Sequence, residues 1–304
     1  MLTTAQTILY SPTKAKASGN LTMEIIPGRD GFTAEIRGAD PAHAEDFPAI
    51  YEAFLAHGVI VIRDCALSPE AQVEFSRRFG PLMGRRPSTP DKVLMPGLPE
   101  IVVLSNRKVN GETVGITDAG RYWHSDLCFE ENPNKATLLH AVEVPQEGGD
   151  TLFADLQRAC ETLPDDLRQR AEGRRAAHTF RKHYLEVMAA GSPRPLLTPE
   201  QFEALALNYH PIIRTHPETG RKALFVNPGH TTDVEGMSEE ESRDLLDALF
   251  EHSLRPEFIY RHKWRVGDTV VWDNRRVMHN AEPYDMARFT RHMLRSCVHG
   301  DRPY

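Results

Sequence analysis

The chain has 304 residues, 40% of them hydrophobic and 26% charged, and 36 Lys and Arg against 43 Asp and Glu leave a formal net charge of −7. That length supports one large domain or two modest ones, with a sizeable core in either case. The mild acidity argues against nucleic acid as the main partner, because such binders usually carry a basic footprint, but it leaves room for a local basic pocket that takes a small anion.

The opening "MLTTAQTILYSPTKAKASGN" lacks the continuous apolar core of a signal peptide and reads as a flexible leader over 1–20. No apolar run is long enough to cross a bilayer. Cys65, Cys128, Cys160 and Cys297 form no C-x-x-C pair, and in a chain this long they read as reduced thiols of a cytoplasmic protein. No repeat and no Pro/Gly/Ser-rich linker divides the remainder, so 21–304 is expected to form a single domain.

Residues 46–56 read as a helix ended by His57-Gly58, and "VIVIRD" follows as a short buried strand. Ser68 then caps a helix with Pro69 at its first position, which Gly80 stops. "KATLLHAVEV" (135–144) is strand-like, "PQEGGD" is a turn, "TLFADL" is extended, and 155–172 read as helical. "PIIRTHPETGRKALFV" (211–226) is a hairpin turning at "PETG", and Ser238 with Glu241 forms a capping box for the helix that follows. "EFIYRHKWRV" and "DTVVWDN" are two strands joined at Gly267-Asp268, and a last strand covers roughly 289–298. The result is a mainly β chain with helical decoration, an antiparallel barrel or jelly roll with flanking helices and insertions. A doubly wound parallel sheet would need regular β/α alternation and an early G-x-G-x-x-G.

The stretch "RYWHSDLCF" places His124 and Asp126 one residue apart. In an extended segment, residues two apart share a face, so the two can aim at a common point. The same pattern recurs at His299-Gly300-Asp301, so His-x-Asp alone is weak. The best third ligand is His279 in "VVWDNRRVMHNAEPYD", past the end of a strong strand. Two histidines and a carboxylate on one face leave three positions open, as non-haem Fe(II) oxygen chemistry requires. Taken singly, His124 reads as readily as a core histidine, and His279 as a surface-loop histidine.

"YWHSD", "EGGDT", "WDN…H" and an Arg-x-x-x-Arg pair, in that order, resemble the Fe(II)/2-oxoglutarate-dependent dioxygenases of the taurine dioxygenase and 2,4-dichlorophenoxyacetate dioxygenase (TauD/TfdA) family. The similarity runs from "GVIVIRD" at 58 to the last strand near 298, and is densest in "RTHPETGRKALFVNPGH" and "YRHKWRVGDTVVWDNRRVMH". It implies a double-stranded β-helix, with His124, Asp126 and His279 holding Fe(II). It further implies that Thr151 hydrogen-bonds 2-oxoglutarate, that Arg291 pairs with its distal carboxylate, and that Arg295 holds the acidic group of the substrate. The implied reaction uses O2, hydroxylates a small organic anion of the aryloxyalkanoate, sulfonate or sulfate type, and releases succinate and CO2, with C–O or C–S cleavage possible afterwards. Related halogenases replace the carboxylate ligand with a small residue, so Asp126 favours hydroxylation. Neither nucleic acid nor membrane is an implied partner, and a homo-oligomer is. Guanidinium suits the two anions, being always charged and able to pair bidentately. On an extended strand Arg291 and Arg295 would share a face about 13 Å apart, with Arg288 as a decoy.

Three departures from the family pattern stand out. The interval from His279 to Arg291 is one residue longer, which a shifted loop at "NAEPYDMARFT" would absorb. "DAGRYW" replaces a segment in which taurine dioxygenase has a polar substrate contact. Arg85-Arg86, in "FGPLMGRRPSTP", takes the place of a substrate-contacting histidine and supplies two candidate anion contacts. Trp272-Asp273-Asn274 is expected to pack the strand end presenting His279, Trp123 to be core, and Cys128 to be a pocket or packing residue. Three other readings compete: a biosynthetic hydroxylase or desaturase of an amino-acid-like acid, a zinc hydrolase using the same triad, and a non-catalytic barrel. The hydrolase leaves Thr151 and the two arginines without a role.

Overall fold

The computed structural model describes residues 23–84, 91–191 and 196–304. Val59–Ile62 is buried at all four positions because successive side chains point to opposite faces of a sheet that is covered on both sides. Val59 and Val61, with Leu139, Ala141, Val270 and Trp272, meet Phe153 and Val277 of a second sheet. Ile60 and Ile62, with Leu138 and Val271, meet Phe54 and Phe75 of two helices on the other face.

The large sheet has eight strands, in the order Glu24–Pro27, Thr33–Arg37, Val59–Ile62, Thr269–Asp273, Asn134–Glu143, His292–His299, Leu98–Ser105 and Leu94–Met95. Thr33–Arg37 runs parallel to Val59–Ile62, and the other pairings are antiparallel. Facing it, Thr151–Asp155 lies between Ile259–His262 and Val277–Ala281, antiparallel to both. A further three-stranded sheet is built on Arg175–Thr179. The chain is thus mainly β with helices on the outside.

Local signals account for most boundaries. The helix Phe47–His57 ends where Gly58 takes φ 76° and donates its N–H to the Phe54 carbonyl. Ser68 accepts from the Ala71 N–H and opens Pro69–Arg77. The capping box of Ser238 and Glu241 is fully formed at Glu239–Ser253. Ile213–Thr215 pairs with Lys222–Leu224 around the "PETG" turn.

Three expectations change. The helical stretch 155–172 is two helices, Leu156–Glu161 and Asp165–Ala171, because Pro164 cannot donate within a helix. "EFIYRHKWRV" and "DTVVWDN" are not paired with each other: Ile259–His262 belongs to the small sheet and Thr269–Asp273 to the large one, so Gly267-Asp268 is a crossing between sheets. The last strand begins at His292, so Arg291 lies just ahead of it. All four cysteines are free thiols. Among the described residues, no helix is long and apolar enough to cross a membrane.

Candidate active site

His279 sits in the middle of Val277–Ala281, on the small sheet and not in a loop. His124 exchanges both backbone hydrogen bonds with it, at 3.0 and 2.8 Å, as an isolated antiparallel bridge. That pairing sets the two imidazoles side by side, with ring centroids 4.2 Å apart.

The chain does not remain extended through Asp126. It turns after His124, and Leu127 takes a positive φ of 53°. Asp126 is aimed by tertiary contacts instead. Its backbone N–H donates to Asn274 Oδ1 (3.1 Å), Asn274 Nδ2 donates to Thr137 Oγ1 (2.9 Å), and Thr137 Oγ1 donates to Asp126 Oδ2 (2.7 Å). Trp272 Nε1 donates to the same Asn274 oxygen at 3.1 Å. Asn274 therefore does more than pack a strand end, since it fixes the direction of a carboxylate.

Asp126 Oδ1 lies 3.8 Å from His124 Nε2, and Asp126 Oδ2 lies 3.9 Å from His279 Nε2. Candidate donor atoms from the three residues fall within 4.8 Å of one another, the one such group among the described residues. His299 and Asp301 are exposed. His124 Nδ1 donates to the Tyr122 carbonyl at 2.8 Å, which leaves the Nε2 lone pair free. Burial pushes the His124 pKa down and holds that of His279 at about 3. Burial alone would raise the Asp126 pKa; His279, Arg295 and His124, with the Thr137 hydroxyl, outweigh it and hold it at about 2. At neutral pH the trio is two neutral imidazoles and one carboxylate, a donor set that fits a divalent first-row metal without losing a proton.

Gly120 leans on this trio. Its φ is +71°, and a Cβ there would stand 3.2 Å from His124 Cε1. Gly120→Ala should therefore cost about 1–3 kcal/mol of stability and weaken Mn(II) binding as the ring is displaced. A thermal melt and a metal titration check both effects.

Register carries the site further along the same sheet. His279 pairs with Phe153, and Ala281 with Thr151. Residues two apart share a face, so Thr151 stands on the same side as His279. The Thr151 hydroxyl accepts from Trp264 Nε1 at 3.0 Å, which leaves its own proton available. The Arg291 guanidinium lies 5.8 Å from the Trp264 ring centroid. Arg291 is only 9% exposed, yet no carboxylate pairs with it among the described residues and its Nε has no hydrogen-bond partner. Burial, with Arg121 adding to it against Tyr284, lowers its pKa to about 10. A buried cation without a counter-ion is costly unless an anion joins it, so the residues present fit a ligand with a free carboxylate.

Between His279 and Arg291 the chain makes a turn within "NAEPYDMARFT". Asp285 Oδ1 accepts from the N–H groups of Ala287 (3.0 Å) and Arg288 (3.2 Å), and its carbonyl accepts from Phe289 (2.9 Å). That turn leaves Arg288 exposed and Arg291 buried. The shared strand face expected of Arg291 and Arg295 does not survive, since Arg291 precedes the strand and the register shifts between His292 and Met293. The two still reach different places: Arg295 Nη1 lies 3.5 Å from Asp126 Oδ1, with a quarter of its side chain exposed. Arg85 and Arg86 lie outside the described residues. Trp123 packs against the helical core, as expected, and Cys128 is fully buried, its thiol pushed up to about 12 mainly by burial. Sequence reading missed Thr137, Trp264 and the orienting part of Asn274. Only "WDN" carried a signal, because the other two act across strands far apart in the chain.

Comparison with known proteins decides the family. Residues 24–297 match the family described as "Taurine catabolism dioxygenase TauD, TfdA family". The chain belongs to the TauD/TfdA dioxygenase family. It is an Fe(II)- and 2-oxoglutarate-dependent oxygenase, and the hydrolase and non-catalytic readings fall. This dioxygenase is 37% identical over 240 residues, 75% of the chain and 80% of the relative, to the alpha-ketoglutarate-dependent 2,4-dichlorophenoxyacetate dioxygenase of Cupriavidus pinatubonensis. It is 33% identical over 290 residues (90% and 92%) to the pentalenolactone F synthase of Streptomyces avermitilis. Among solved structures, AAD-2 in complex with Mn(II) and N-oxalylglycine superposes with a TM-score of 0.75 at 29% identity, covering 93% of this chain and 99% of that one.

Proposed function

We propose that this dioxygenase binds Fe(II) through His124, Asp126 and His279 and 2-oxoglutarate through Thr151 and Arg291. Its two facing sheets are then a double-stranded β-helix, and 21–304 work as one domain. Bound Fe(II), with 2-oxoglutarate and O2, supplies the oxidising chemistry that turns a substrate C–H into C–OH while 2-oxoglutarate becomes succinate and CO2. The chain's own part is to orient and to exclude water. Trp264 holds the Thr151 oxygen so that the hydroxyl proton points away, free to donate to a carboxylate. Phe153 and Trp272 wall off the His279 side, with ring centroids 6.1 and 4.7 Å from the imidazole. Arg295, beside Asp126 and partly open, supplies the cation for the acidic group of the primary substrate. That substrate is a small organic anion of the aryloxyalkanoate, sulfonate or sulfate type. When the hydroxylated carbon also carries an ether, sulfonate or sulfate group, the C–O or C–S bond then breaks as the hydroxyl becomes a carbonyl. A cytoplasmic location fits the four free thiols.

The observation that carries the reading is Arg291, a buried guanidinium with no carboxylate partner among the described residues, over the Trp264 ring whose Nε1 holds Thr151. Fe(II) added anaerobically and then 2-oxoglutarate should raise a weak visible charge-transfer band. Arg291→Ala should need roughly 100-fold more 2-oxoglutarate for the same band, the usual scale for truncating one partner of a buried charge pair. No band in well-folded native protein would remove the reading. The second reading, a biosynthetic hydroxylase or desaturase, draws on the similarity to a pentalenolactone F synthase. A panel of aryloxyacetates, sulfonates, sulfate esters and amino-acid-like acids, followed by succinate release, separates the two.

A further inference from the structure

We infer that Arg121 is a second cationic residue of the co-substrate cleft and acts with Arg291 on the distal carboxylate of 2-oxoglutarate. The inference rests on the co-substrate reading above. Arg121, Tyr284 and Arg291 line one cleft together with Ser105, Thr117 and Ala281. Arg121 belongs to "DAGRYW", where Gly120 and Tyr122 touch His124 and Trp123 packs on the core, while Arg121 itself has no role so far. The Ala281 N–H donates to the Gly120 carbonyl at 2.8 Å, which ties this segment to the strand edge beside Thr151.

The Arg121 guanidinium is held but not neutralised. Its Nη2 donates to the Thr117 carbonyl at 3.2 Å and lies 3.3 Å from Met286 Sδ, and its Cζ is 5.8 Å from the Tyr284 ring centroid. No carboxylate pairs with it among the described residues. Glu282, the acid on the cleft wall, is engaged with Arg261. The cleft thus presents two guanidinium groups and no free anion. Arg121 and Arg291 line the same cleft, and the Arg121 charge adds to burial in lowering the Arg291 pKa. Like charges facing one cleft repel, and an anion placed between them removes the repulsion and gains both attractions. The primary substrate's acidic group has a different cation available, because Arg295 opens beside Asp126.

The test is calorimetric, on Mn(II)-loaded protein, with 2-oxoglutarate and with 2-oxobutyrate, which keeps the keto acid but lacks the distal carboxylate. Arg121→Gln should raise the 2-oxoglutarate Kd by about tenfold, the scale of losing one charge-assisted contact. It should leave the 2-oxobutyrate Kd unchanged, and Arg121→Lys should recover part of the loss. Arg288→Gln, an exposed change on the neighbouring loop, should alter neither. Repulsion in the empty cleft also predicts that Arg121→Gln melts no lower than the wild type without ligand. An unchanged 2-oxoglutarate Kd overturns the inference. Equal weakening of both 2-oxo acids also overturns it, assigning Arg121 to the support of Gly120 and His124. Wild-type protein that fails to bind 2-oxoglutarate, or Arg291→Ala that binds it normally, instead removes the co-substrate reading and takes this inference with it.

Discussion

The His279→Ala variant is expected to lose turnover and Mn(II) affinity by more than roughly 100-fold, the upper end of what removing an outer partner of a metal ligand costs. It should also lose the rise in melting temperature that metal gives the wild type. The fold should survive, because the pairing with His124 uses backbone atoms at 2.8 and 3.0 Å and does not need the imidazole. What disappears is one of two neutral donors facing Asp126. The ring also packs 4.7 Å from Trp272, so His279→Gln, which fills more of the space, belongs beside the alanine variant. If His279→Gln melts like the wild type without metal yet gains nothing from Mn(II), the loss is one of ligation. If His279→Ala still binds Mn(II) as the wild type does, the triad assignment is wrong.

Asp273→Ala should lower stability by about 3–5 kcal/mol, the usual result of stripping one partner from a buried ion pair. Asp273 accepts from Arg275 Nε at 2.8 Å and Arg275 Nη2 at 2.6 Å, and from His216 Nε2 at 2.9 Å. All three residues are at most 1% exposed. Without the carboxylate, the Arg275 guanidinium keeps Glu218, at 2.5 Å, and the Phe54 ring, and His216 Nε2 loses its acceptor. His216 Nδ1 also accepts from the N–H groups of Glu218 (3.2 Å) and Thr219 (3.1 Å) in the "PETG" turn. The hairpin tip is therefore locked to the residue before Asn274, and damage at Asp273 should reach the carboxylate that Asn274 orients. A double-mutant cycle with Arg275→Met separates a lost pair from a stranded charge, since the double variant should be more stable than Asp273→Ala alone.

The same pair sets an acid limb. Burial would raise the Asp273 pKa, but Arg275 and His216 outweigh it and hold it far below the carboxylate range. A group depressed in the folded state contributes fully above its unfolded pKa, about 3.9, and that contribution drains away as pH falls below it. Denaturant midpoints should thus be flat in this respect above about pH 4 and decline below it. Asp273→Asn should show a shallower decline.

Much of the secondary structure was legible because its causes are local. The capping box at Ser238, the stop at Gly58 and the turn at "PETG" depend on residues within a few positions of one another. The helical run over 155–172 divides at Pro164 into Leu156–Glu161 and Asp165–Ala171, since a proline has no N–H to carry the first helix onward. The partners of Thr269–Asp273 could not be read at all, since they are 59–62 and 136–140, far away in the chain.

The kinds of chemical group in the candidate site were legible in the chain alone. Imidazole, carboxylate, hydroxyl and guanidinium groups appear in a set order, and the family resemblance carried by "WHSD", "EGGDT", "WDN…H" and the Arg-x-x-x-Arg pair together is what pointed to His124, Asp126 and His279 as a set. Tertiary structure alone decided how they meet. His-x-Asp was expected to work as an extended pair, yet the chain turns at Asp126 and the carboxylate is aimed by Asn274 and Thr137. Arg291 and Arg295 were expected to share a strand face, yet one lies over Trp264 and the other beside Asp126. The physical reason is common to both cases. Residue type is a property of one position, whereas side-chain direction depends on register, and register is set by hydrogen bonds between segments that only the folded sheets bring together.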